Sequence, residues 1–160
     1  MKRAVEVKAA AKRSRRKSAG VPRVVLSLPL LLRALLLSDE QSRALRQCWQ
    51  QGRCVPVIGS ALVTQLLQAL SFPGLKLRPA QQHELLADLL PYAEAHAGEP
   101  AVLGTRLARP LAQSLALAVA AQVDLLLDEG QVLSAHVARM GASRYGRLRV
   151  QDAATFLSEV

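Results

Sequence analysis

The sequence predicts an α/β fold of three layers, with a central, mostly parallel sheet flanked by helices. Three observations point there. Short aliphatic runs alternate with longer segments of helical apolar periodicity, the order produced by strand–helix–strand units with parallel strands. Those runs are apolar throughout rather than alternately polar, as strands covered on both faces are. The chain has 160 residues, 51% hydrophobic and 21% charged, enough for one domain with a sizeable core. Aromatics are only 3%, so Leu, Val and Ala must fill the interior, and a platform of exposed rings for base stacking is disfavoured.

Each element has its own signal. After Pro22, Arg23–Ser27 is a β-branched run read as a buried strand. Leu28–Leu37 is a short apolar helix, with Pro29 tolerated in its first turn. Ser38 or Asp39 caps a helix over Glu40–Gln51 that Gly52 stops. Leu45, Cys48 and Trp49 form its inner face at i, i+3, i+4. Cys54–Ile58 is a second strand. Ser60 caps a helix to about Leu70, and Pro73-Gly74 breaks the chain. Pro79 opens a helix over Ala80–Ala95, with Leu85, Leu86, Leu89 and Leu90 as its stripe and Pro91 as a kink or split. Residues 98–105 are loop, with a short strand expected at Ala101–Leu103. Pro110 opens the most apolar helix, to about Gln122. Asp124–Leu127 is a third strand, Glu129–Arg139 a helix, Arg147–Val150 a fourth strand, and Gln151–Glu159 a closing helix with Phe156 inward. In such sheets ligands bind beyond the carboxyl ends of the strands, here near Ser27, Ile58–Ser60 and Asp128–Gly130.

Charge divides the chain. Of the formal +9, residues 1–20 carry +7, through Lys2, Arg3, Lys8, Lys12, Arg13, Arg15, Arg16 and Lys17 against Glu6. Residues 21–160 carry only +2. The first twenty residues lack apolar periodicity beyond an Ala-rich stretch over residues 4–11, and read as a flexible basic arm. Such an arm suits phosphate neutralisation on RNA or DNA; a solubilising arm without a dedicated target is the competing reading. The apolar run Val24–Leu37 falls short of the about 20 residues a bilayer span needs and contains Pro29 and Arg33, so a cytoplasmic protein without a membrane partner is expected.

The strand ends carry a resemblance. Val24-Val25-Leu26-Ser27-Leu28-Pro29-Leu30-Leu31-Leu32-Arg33-Ala34-Leu35 resembles the opening of bacterial PIN-domain proteins, V-V-L-D-T-N-V-L-L-x-A-L, with the toxin component of toxin–antitoxin pairs as the nearest subtype. Residues 45–59, 60–75, 115–127 and 149–157 resemble later family segments in the family's order, so the likeness covers nearly all of residues 22–160. It implies a PIN-like fold whose chemistry is metal-dependent phosphodiester cleavage. There, carboxylates at the strand ends hold Mg²⁺ or Mn²⁺, which activate water. This chain departs from that pattern. Ser27 stands for the first-strand Asp, Gln65 for the helix Glu, Ala112 for the acidic cluster before the apolar helix, and Gly130 for the Asp after the third strand. Asp128 and Glu129 are weak metal candidates in a shifted register. The catalytic positions therefore read as degenerate, and no cofactor is expected unless displaced ligands make the chain an active Mg²⁺- or Mn²⁺-dependent ribonuclease.

The other chemistry is sparse. Arg33, Arg106 and Arg109 would lie near where phosphate binds in the family, and are otherwise ordinary surface arginines. His83, His96 and His136 lack helical metal spacing and read as surface residues. Cys48 and Cys54 have no metal-ligand partners and read as buried free thiols, with a disulfide as the alternative. Three functions follow. The first is a degenerate PIN-like binder of nucleic acid or of an antitoxin-like partner protein. The second is an active toxin-type ribonuclease. The third is a structural protein that dimerises through Leu28–Leu37 and Leu111–Ala121.

Overall fold

A computed structural model describes residues 20–98 and 106–160. The basic arm and the expected strand at residues 101–103 lie outside these described residues. Five strands form one sheet in the order β3-β2-β1-β4-β5: β1 Arg23–Leu26, β2 Val55–Ile58, β3 Glu94–Ala95, β4 Leu125–Leu127 and β5 Arg149–Gln151. Every neighbouring pair is parallel. The helices are α1 Leu28–Leu36, α2 Glu40–Gln50, α3 Ser60–Leu70, α4 Pro79–Ala87, α5 Arg109–Ala120, α6 Val132–Met140, α7 Ala142–Tyr145 and α8 Ala153–Glu159.

Successive residues of a strand face opposite sides of a sheet. Val24, Val25 and Leu26 of β1, and Leu125, Leu126 and Leu127 of β4, are all buried, so helices cover both faces of the central strands. The unbroken apolar runs have this cause: no strand position at the centre meets water. Aliphatic side chains supply most of the core, joined by Trp49 and Phe156 as its largest fully buried members. Trp49 keeps its indole N–H satisfied by donating to the Asp88 carbonyl at 2.8 Å.

Several boundaries differ from the expectations. The helix expected over Ala80–Ala95 ends at Ala87 and is followed by a 3₁₀ turn, Leu90–Tyr92, and by β3. Pro91 cannot donate within a helix, so the chain leaves it and pairs with β2, where the His96 N–H reaches the Ile58 carbonyl at 2.8 Å. Of the stripe read there, Leu86 and Leu89 are buried, whereas Leu90 is exposed. The sheet therefore has five strands where four were expected. The β3 edge is also fastened by Arg23, whose guanidinium reaches across β2 to both Glu94 carboxylate oxygens at 2.8 and 3.0 Å and donates to the Ala121 carbonyl at 2.9 Å.

Gly59 rather than Ser60 is the N-cap of α3, with Ser60 as its first residue. A Cβ at Gly59 would lie 3.2 Å from Leu117 Cδ1, so this strand–helix turn passes close against α5. The third strand begins at Leu125, and α6 begins only at Val132 because Asp128–Gln131 turn away from the strand end. The final strand runs Arg149–Gln151, one register later than expected, and Asp152 caps α8 through Thr155.

Candidate functional site

Strand order decides where a site can form. Connections from β1 leave toward β2, whereas β4 lies on the other side of β1. The crevice between the carboxyl ends of β1 and β4 is thus the switch point at which doubly wound sheets bind ligands. Pairing of Leu26 with Leu127 sets the following residues, Ser27 and Asp128, side by side. Both are buried.

Ser27 Oγ donates to Asp128 Oδ1 at 2.6 Å, a length expected of a hydroxyl on a carboxylate. The backbone holds both residues in place. The Ser27 N–H donates to the Leu127 carbonyl at 2.9 Å, and the Asp128 N–H donates to the Gln151 carbonyl at 3.0 Å. Ser27 is also the N-cap of α1, yet its side chain caps no helix N–H. A serine there ordinarily satisfies an amide of the first turn. Here the buried carboxyl group takes the hydroxyl instead, because burying it unpaired costs more than leaving one terminal amide uncapped.

The remaining positions around the crevice are neutral. Gln65 on α3 donates through its amide to Gln113 on α5, a residue that sequence reasoning had passed over. Its signal was its polarity within the apolar run that follows Pro110, where Ser114, its polar neighbour, bonds back to the Pro110 carbonyl at 3.0 Å. Ala112 is buried. Gly130 sits so near Asp128 that an added Cβ would be 3.4 Å from Oδ2. Glu129 is exposed, and among the described residues no group of three His, Cys, Asp or Glu side chains converges to hold a metal. A hard divalent cation favours several charged oxygens. Ser27, Gln65 and Gln113 supply neutral ones, and one Asp128 oxygen is engaged, so this donor set does not fit such an ion.

Beside the crevice runs an apolar groove of about 540 Å³. Leu28, Leu32 and Leu36 form one wall at four-residue spacing on α1, with Phe72, Leu75 and Pro110 opposite. Phe72 is 63% exposed, a large apolar surface for a ring to leave in water. Arg33 follows Leu32 and Arg109 precedes Pro110, so two of the arginines singled out flank lining residues; Arg106 is exposed in the bend before α5. The eight basic residues of the arm lie outside the described residues.

His136 is a correction. It is buried rather than at the surface, with Nε2 2.7 Å from the Tyr145 hydroxyl. Burial, with Arg139 and Arg144 nearby, pushes its pKa below the ordinary 6.5. The pair lies between α6 and α7 and fastens the helices that precede β5.

With 12% identity and a TM-score of 0.54, the chain superimposes on a solved structure of VapBC2 from Rickettsia felis bound to a DNA fragment from its promoter. The alignment covers 81% of this chain and 98% of that one. The fold is PIN-like. No protein-family profile matches the sequence, and no curated protein matches it. No helix among the described residues is long and apolar enough to cross a membrane.

Proposed function

We propose that this chain is a PIN-like domain without nuclease activity that binds nucleic acid, with its basic arm supplying the affinity. The observation that carries the loss of cleavage is the buried Ser27–Asp128 hydrogen bond. At the crevice where the resemblance would place a metal-binding carboxylate cluster, a hydroxyl closes on the nearest carboxyl group. The case for nucleic acid rests on charge: +7 of the +9 is concentrated in twenty residues. Cations so concentrated release counterions from a phosphate backbone without reading its sequence. The related fold in VapBC2 belongs to a complex crystallised on DNA, which is compatible with this reading.

A second reading concerns a partner protein. The groove beside α1 exposes Phe72 and Leu75 next to an aliphatic wall, a surface suited to an amphipathic segment of an antitoxin-like protein. The two readings are compatible, because arm and groove are different parts of the chain.

The test is binding and cleavage of labelled RNA and DNA with Mn²⁺, comparing the full chain with a variant whose eight arm Lys and Arg are Gln. Binding without cleavage, lost in the neutralised variant, supports the proposal. Metal-dependent cleavage that disappears in Asp128→Asn and Glu129→Gln would overturn it in favour of a ribonuclease with displaced ligands. Absence of nucleic-acid binding by the full chain leaves the groove as the functional surface.

A further inference from the structure

We propose that Cys48 and Cys54 form a two-electron redox site, a dithiol built to close into an intramolecular disulfide. This goes beyond the binding function and is independent of it. The argument starts from how α2 ends. Gly52 takes φ +74, the Arg53 N–H donates to the Cys48 carbonyl at 2.9 Å, and the Gly52 N–H donates to the Trp49 carbonyl at 3.2 Å. These two bonds around a left-handed glycine fold the chain back over the last turn of its own helix. The residue after that fold is Cys54, which enters β2 against the residue that accepted the bond, Cys48. The two thiols are hydrogen-bonded to each other.

Both thiols are buried, and neither has a metal-ligand neighbour among the described residues. The hydrogen bond from Cys54, then the Arg53 guanidinium, hold Cys48 below the usual thiol range, while Cys54 is pushed up by accommodating its partner and by burial. Cys48 is therefore the attacking sulfur. With an azo oxidant such as diamide, the Cys48 thiolate adds to the N=N bond to give a sulfur–nitrogen adduct. The Cys54 thiolate then attacks Cys48 Sγ, the S–S bond forms, the S–N bond breaks, and the hydrazine leaves with the two electrons and both thiol protons.

Trp49 offers a built-in reporter. It is the chain's one tryptophan, it follows Cys48 directly, and it is buried. Disulfides quench neighbouring indole emission. Native full-length protein treated with diamide and then alkylated should lose both titratable thiols and two hydrogens of mass, remain monomeric on a non-reducing gel, and lose Trp49 emission that dithiothreitol restores. A peptide map should show residues 48 and 54 linked. Cys54→Ser should abolish both the mass change and the quenching. Retention of two alkylatable thiols under native conditions would overturn the proposal, as would cross-linking only between chains. Because the mass and linkage are read on the wild-type chain, a misfolded variant does not weaken the test.

Discussion

Ser27 illustrates how one side chain can be read correctly for type and still hide its role. Sequence alone shows a neutral residue at the end of the first strand. The structure shows why neutrality there is tolerated: the hydroxyl is committed to the buried Asp128. Ser27→Ala leaves that carboxyl group without its donor and should lower stability by about 1–3 kcal/mol in urea melts; an unchanged midpoint would refute the pairing. His136 makes a second prediction at this scale. Its folded pKa lies below 6.5, so the unfolded chain binds the proton more readily. The sign follows directly: stability is greatest while the ring is neutral, above about 6.5, and falls as pH drops from there through the folded value. Denaturation midpoints measured between pH 8 and 5 should decline over that window, and His136→Gln should flatten this part of the profile.

Among the elements, strands were legible wherever aliphatic residues ran together, and helices wherever a cap and a stop coincided. Asp39 accepts from the Ser42 N–H, and Gly52 ends α2 as read from the sequence. Gly52 has open space around its missing Cβ, so Gly52→Ala tests backbone conformation alone. It should cost about 1 kcal/mol, the penalty of placing a side chain at a left-handed φ. A thermal melt checks this, and no loss would mean that α2 ends by some other means. The strand β3 was not legible. Its two residues are both exposed, and neither has strong strand character. It exists because β2 offers an unpaired edge and because Arg23, two strands away, holds Glu94.

For the whole molecule, the division between a basic arm and a nearly neutral body sets the expected salt response. Affinity for RNA or DNA should fall steeply and linearly in log–log plots against salt, and neutralising the arm should remove most of that slope. A slope unchanged by neutralising the arm would move the contact surface to the body. By itself the sequence determined the layered α/β class, the buried central strands, the neutral residues at Ser27 and Gln65, and the uneven charge, because each of these is written in local composition and periodicity. Only the tertiary structure decided that Ser27 meets Asp128, that Gln65 meets Gln113, and that His136 is buried against Tyr145. The first two contacts join residues far apart in the chain. The third depends on how α7 folds back onto α6. Such meetings follow from strand order and helix packing, which no local pattern records.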